Sequence, residues 1–207
     1  MRCSLQRIIA YVDGFNLYFG LKSKDWRRYY WLNIQLLVQN LLKPHQRLVL
    51  VKYFTARVIS SPDKQKRQSN FIEALETLND FEIFYGKYQL NPVQCPSCRW
   101  QGQQPNEKMT DVNIATEIFK DAYQDAFDAA LLMSADSDLV PPVKAVRQLF
   151  PAKRVIVAFP PARSSVDLAN CASACFTVGR GRISKSLFPD KITKQDGSVL
   201  QCPLSWK

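Results

Sequence analysis

Histidine is almost missing from this 207-residue chain: His45 is the only one, in a polar loop. Zinc hydrolysis built on clustered imidazoles is therefore poorly supported. Long apolar runs are missing as well. None approaches the roughly 20 residues of a membrane-spanning helix, and the first apolar run begins by about Ile8, leaving no room for a signal peptide. A cytoplasmic protein with no membrane partner is the expectation. No repeat or low-complexity tract is present. No G-x-G-x-x-G follows the first apolar run, which argues against a nucleotide-cofactor dehydrogenase. Negative charge is scarce: 18 Asp plus Glu stand against 28 Lys plus Arg, for a formal net charge of +10. Such an excess favours polyanionic partners, nucleic acid before acidic membrane surfaces. The basic residues fall in short groups, such as Lys22, Lys24, Arg27 and Arg28, and none forms a disordered basic tail.

What is present is an alternation of short apolar runs and longer helical periods. Ile8–Val12, Leu48–Phe54, Phe81–Tyr88, Ala129–Met133, Val155–Phe159 and Phe176–Val178 have the length and composition of buried parallel strands. Between them, Ile34, Leu37, Val38 and Leu41 recur at helical spacing until Pro44. Ser61-Pro62 is a cap followed by a first-turn proline. Thr110-Asp111 opens a further helix, Leu139–Leu149 carries Pro141 and Pro142 in its first turn, and Ser164 or Ser165 caps another through Leu168. This order predicts an α/β fold, a mostly parallel sheet with helices on both faces. Residues 1–190 form one domain in this reading. Residues 91–107, polar and containing Pro92, Pro96 and Pro105, are an inserted loop, and 191–207 an irregular tail.

Two apolar runs end in carboxylates. Leu131–Leu139 reads L-L-M-S-A-D-S-D-L, and Ile8–Asn16 reads I-I-A-Y-V-D-G-F-N. In an open α/β sheet, ligands bind outside the carboxyl ends of the strands. Asp13, Asp136 and Asp138 each have an ordinary alternative use in capping the next helix, and Asp111 suits a helix start in any case. Four carboxylates meeting at one edge would repel one another unless a cation sat among them. Hard oxygen ligands favour Mg²⁺ or Mn²⁺ over zinc, and such ions promote phosphoryl displacement. The small Ser134 and Ala135 leave space for a phosphate to approach.

These motifs resemble the NYN family of PIN-like nucleases. The matching elements are V-D-G-F-N at Val12–Asn16, E-K-M-T-D-V-N-I-A at Glu107–Ala115, S-A-D-S-D-L at Ser134–Leu139 and V-I-V-A-F-P-P-A-R-S-S at Val155–Ser165. The resemblance implies a Rossmann-like, PIN-like sheet and metal-dependent cleavage of RNA, less often of DNA. By position it implies Asp13, Asp111, Asp136 and Asp138 as the acidic metal-binding set, with Asn16 and Ser134 in support. Where the family has S-G-D-S-D this chain has S-A-D-S-D, so Ala135 would strain the turn if a positive φ were needed there. Lys108 and Arg163 are candidate phosphate contacts, each with a solvated surface role as its alternative. PIN-like nucleases often pair subunits, so a homodimer is compatible, although no stretch declares an interface.

Of six cysteines, Cys95 and Cys98 form C-P-S-C, half of a zinc knuckle. Structural zinc wants four ligands. The other close pair, Cys171 and Cys175, has the wrong spacing, so structural zinc stands beside a knuckle remnant or an intermolecular site. Trp26, Tyr29, Tyr30 and Trp100 are candidates for stacking on unpaired bases, with ordinary packing as the alternative. The leading expectation is an Mg²⁺- or Mn²⁺-dependent endoribonuclease. The alternative is an RNA-binding or partner-docking module with a vestigial acidic site. A haloacid-dehalogenase-type phosphatase is disfavoured, because Asp13 is followed by Gly14 and Phe15 rather than by a second acid two residues on.

Overall fold

The first apolar run becomes β1 (Gln6–Asp13), buried from Ile8 to its end. In this computed structural model, residues 5–59, 61–94 and 96–207 are described, without the side chains at 90 and 103–106. β1 lies between β2 (Gln46–Thr55) and a later strand, Ala129–Met133, and both pairings are parallel. The remaining strands of the sheet are β3 (Phe81–Tyr85), Arg154–Phe159 and Ala174–Thr177. With β4 (Lys87–Gln94) and β5 (Gln101–Lys108) forming a separate ribbon, the later three are β6, β7 and β8. The six-stranded order is β3-β2-β1-β6-β7-β8, with every pair parallel. All six strand expectations are met, the third being cut short at Tyr85, where the chain leaves for the ribbon.

Strand alternation divides the core into two layers. Ile8, Ala10 and Val12 join one cluster; Ile9 and Tyr11 join the other. The first layer is covered by α1 (Gly14–Ser23), α2 (Ile34–Leu41) and α3 (Pro62–Glu76), and the second by α4 (Thr110–Tyr123), α5 (Val140–Leu149) and α6 (Val166–Cys171). A short α7 (Arg180–Ser184) follows β8 and buries Ile183 in the first layer. Each fully buried Leu, Ile, Val or Phe contributes about 1.5–3 kcal/mol. Local signals explain the helix starts. Asn33 accepts from the Leu36 amide at 2.8 Å, and Ser165 rather than Ser164 caps α6, accepting from the Leu168 amide at 3.3 Å. Ser61 precedes Pro62 as expected, but its side chain makes no capping hydrogen bond.

Two segments differ from the sequence reading. The inserted loop is an antiparallel ribbon, β4 against β5, in register from Lys87↔Lys108 to Gln94↔Gln101. Pro92 and Pro105 are tolerated because both strands of a two-stranded ribbon are edges. The tail expected to be irregular forms a small hairpin, β9 (Lys191–Thr193) with β10 (Val199–Gln201). It is held by burial of Leu200 and Cys202 and by the Trp206 ring, which meets Tyr30, Trp31 and Phe71 at 5.7–6.3 Å. Among the described residues, no helix is long and apolar enough to cross a membrane.

Candidate active site

Strand order reverses at the β1–β6 boundary: the chain first builds outward through β2 and β3, then returns to the other side of β1. Such a switch point opens a crevice at the carboxyl ends of the strands. Val12 pairs with Met133, so Asp13 and Ser134 are the next residues on two adjacent strands. The Ser134 hydroxyl donates to the Asp13 carboxylate at 2.9 Å, although 121 positions separate them.

Asp13 is both helix cap and site residue. Its Oδ1 accepts from the Asn16 amide at 2.9 Å, and its Oδ2 accepts from the Asn16 side chain at 2.5 Å. Only 2% of Asp13 is exposed. Burial pushes its carboxyl above the ordinary value, and the hydrogen bonds from Asn16 and Ser134 only partly offset this. Asn16 is buried too, and its Oδ1 accepts from Arg163 Nη1 at 2.9 Å.

Ser134, fully buried, also receives the Asp136 amide at 3.1 Å. Asp136 caps the single turn Ser137–Leu139, accepting from the Asp138 amide at 3.0 Å. Of the two capping roles open to Asp136 and Asp138, Asp136 takes one, on this single turn, and α5 itself starts without a side-chain cap. Ala135 is not among the residues with positive φ, so the substitution for glycine costs the turn nothing.

Asp111 enters from the first turn of α4. Its carboxyl is pushed up to about 7, first by burial and then by the charges of Asp136, Asp13, Glu107 and Asp138. That mutual influence is the electrostatic signature of convergence, and it draws in all four aspartates named from sequence. Glu107, at the end of β5, was not among them. It accepts from the amide and the hydroxyl of Thr110, so it caps α4 from outside the helix while adding a fifth negative charge. In E-K-M-T-D the glutamate precedes Thr110 by three residues, the reverse of a capping box, so no local rule marked it. Met109 between them has φ 81°, and Ala162 beside Arg163 has φ 56°. Non-glycine residues in this region are uncommon and collect at functional sites.

Other expectations fare differently. Lys108 is exposed and has no side-chain partner among the described residues. Tyr29 is buried and Trp26 and Tyr30 half-buried, so of the four aromatics named for stacking only Trp100 is exposed. Of the C-x-x-C pair named as a zinc half-site, Cys95 lies outside the described residues and Cys98 is an exposed free thiol near the ribbon tip.

The acidic set offers hard oxygen donors and no soft ones. Magnesium characteristically takes one or two protein carboxylates, keeping waters and substrate phosphates for its other positions. The donor chemistry at the notch suits that mode. Among the described residues, however, no group of three or more His, Cys, Asp or Glu side chains is already arranged to hold an ion.

Residues 7–179 match the NYN domain family. A curated relative, 6-hydroxy-3-succinoylpyridine 3-monooxygenase HspA of Pseudomonas putida, is 28% identical over 176 residues, covering 68% of this chain. The chain spans only about half, 55%, of that protein's length. A solved Vibrio parahaemolyticus protein of unknown function shares the fold with a TM-score of 0.56 and 20% identity, over 89% of this chain and 98% of that one.

Proposed function

This chain belongs to the NYN domain family, a PIN-like nuclease family, and from that premise we propose that it is an Mg²⁺- or Mn²⁺-dependent endoribonuclease. Membership in a nuclease family implies a nucleic-acid substrate. The preference for RNA and the dependence on metal are this proposal's own content. The observation that supports it is the hydrogen-bonded series Asp13–Ser134–Asp136–Asp138 at the switch point of the sheet, with Asp111 on α4 near enough to feel the other three aspartates as like charges.

Asp13, Asp136 and Asp138 would hold the ion, with Asp111 completing the set or orienting the attacking water. When bound, such an ion activates water and neutralises charge developing on the phosphoryl oxygens. The chain's own groups supply the rest. Ser134 and Asn16 fix the Asp13 carboxylate by hydrogen bonds from two directions. Hydrogen bonds from the Asp136 amide to Ser134 and from the Asp138 amide to Asp136 fix the Ser134–Asp138 turn that carries both carboxylates at the strand end. In the metal-free protein burial and its acidic neighbours push the Asp111 carboxyl up to about 7; a cation bound among them would restore its ionised form, in which it accepts a hydrogen bond from the attacking water or joins the ligand set. Arg163, held against Asn16, places a positive charge beside the notch for a backbone phosphate.

The monooxygenase name belongs to the P. putida protein, nearly half of which lies outside the match. The competing reading is an RNA-binding module with an inactive notch. It draws on the fact that both Asp13 oxygens are already engaged in protein hydrogen bonds. Labelled single-stranded RNA and DNA, incubated with Mn²⁺, Mg²⁺ or EDTA, separate the two. RNA cleavage that requires metal and disappears in Asp136→Asn supports the nuclease. RNA bound but uncut by the wild-type protein under every condition supports the module.

A further inference from the structure

We propose that Tyr18 and Phe19, on the outer face of α1, form a base-stacking subsite for single-stranded RNA, with Arg163 and Lys22 as its phosphate contacts. Its location beside a cleavage centre rests on the nuclease reading above; its capacity to bind RNA does not.

The two rings are neighbours in sequence, and each is 41% exposed. Their centroids lie 5.3 Å apart, and Tyr18 backs onto Tyr30 at 5.1 Å. Tyr30 therefore braces Tyr18, while 41% of each of the two residues stays accessible to a ligand. Because α1 starts immediately after Asp13, Tyr18 is five residues along, roughly 7.5 Å at 1.5 Å per residue. A hydrogen-bonded path joins the two places. Asp13 holds the Asn16 side chain at 2.5 Å, Asn16 holds Arg163 at 2.9 Å, and the Arg163 guanidinium lies 5.8 Å from the Phe19 ring centroid. Lys22 Nζ lies 5.8 Å from the same centroid.

Two further observations point to a ligand with both a ring and a negative charge. Neither Arg163 nor Lys22 forms an ion pair among the described residues, so both charges beside the Phe19 ring are available to an anionic ligand. The aromatics named from sequence nearby have other duties: Tyr29 is buried and accepts hydrogen bonds from Arg28 and Arg180 at 3.0 and 3.1 Å. Exposed rings beside unpaired cations are the two parts of a single-strand site, one for the base face and one for the backbone. A paired strand hides its base faces, so the subsite selects unpaired RNA. Stacking reads no hydrogen-bond pattern, so the selection is tolerant of sequence.

The test is binding of a short fluorescent single-stranded RNA in EDTA, where no metal-dependent turnover occurs. Tyr18→Leu and Phe19→Leu keep apolar bulk and remove the ring face; thermal unfolding confirms that each variant is folded. Each is expected to weaken binding by about 5- to 100-fold. The same RNA carrying abasic sites should show no difference between wild type and Phe19→Leu. Lys22→Gln should lower the slope of log affinity against log salt by about 0.7, one single-strand phosphate contact. Ring variants that bind intact RNA as tightly as wild type overturn the subsite, as does an equal loss on abasic RNA. Wild-type protein that fails to bind RNA in EDTA also overturns it. Wild-type protein that binds through these rings but never cleaves removes the nuclease reading and leaves the subsite standing.

Discussion

Replacing Lys52 with Met should cost this fold about 3 kcal/mol, through a charge network centred on a buried ammonium. Lys52 lies in β2, in a run that otherwise reads as apolar, and is 3% exposed. Its ammonium stands 2.6 Å from Glu117 and 2.7 Å from Asp121, both on α4. The Tyr11 hydroxyl donates to Asp121 at 2.6 Å, and Lys120 reaches Glu117 at 2.6 Å from the helix surface. Burial alone would raise the Glu117 carboxyl, but hydrogen bonds from Lys120 and Lys52 outweigh it and hold it below its ordinary value. Tyr11 is pushed well up by burial and by Asp121, so it stays a neutral donor. Removing one partner of a buried pair typically costs about 3–5 kcal/mol. The lower end applies, because Lys120 still neutralises Glu117 and Tyr11 still bonds Asp121. At about 2–4 °C per kcal/mol for a chain of this size, the melting temperature falls by about 6–12 °C. Scanning calorimetry at pH 7 and pH 4 measures it. Lys52 helps hold the Glu117 carboxyl below its ordinary value, a stabilisation present in full above that ordinary value and lost as the pH falls through it. The penalty for removing Lys52 is therefore full at pH 7 and smaller at pH 4. A loss below about 1 kcal/mol at pH 7, or one independent of pH, would refute the claim that this ammonium compensates buried carboxylates.

Asp136→Asn should abolish metal-dependent RNA cleavage while leaving the melting temperature unchanged or raised, since Asn caps the Ser137–Leu139 turn about as well; a large loss of stability would reassign Asp136 to capping alone. Asp111→Asn should stabilise metal-free protein at pH 8 more than at pH 5. The Asp111 carboxyl, pushed up to about 7, destabilises the fold once ionised, and the effect fades as acid restores the proton. Saturating Mn²⁺ should raise the wild-type melting temperature and shrink the variant's advantage, and a pH-independent gain would contradict the like-charge origin. Gly14→Ala should lose stability by about 1–3 kcal/mol, because a Cβ there would lie 2.5 Å from the Tyr53 hydroxyl and 2.8 Å from the Phe54 carbonyl. Urea unfolding at constant m-value checks this, and an unchanged midpoint would mean that the strand end can yield.

Much of the fold is legible in the chain because its signals are local. Short apolar runs mark all six sheet strands, and prolines and capping residues mark where helices start. The carboxylates of Asp13 and Asp136 end such runs, so their arrival at the sheet edge follows from the strand assignment alone. The ribbon at Lys87–Lys108 was hidden because its residues are polar and its prolines mimic loop chemistry; only pairing between two edges makes them strands. The Lys191–Thr193 and Val199–Gln201 hairpin was hidden for a related reason, since its few apolar residues have a partner only in the distant core.

What the sequence determined by itself is the alternation of strand and helix, the excess of positive charge, and which carboxylates stand at strand and helix ends. Tertiary structure alone decided that β1 and β6 lie side by side, so that Ser134 bonds Asp13 across 121 positions. It also decided that Glu107 joins the acidic notch, that Arg163 is tied to Asn16, and that Tyr18 and Phe19 rather than Tyr29 face outward. The physical reason is the same in each case. A residue's periodicity fixes its face on its own element, but strand order and helix docking fix what that face meets, and those are set by contacts between segments far apart in the chain.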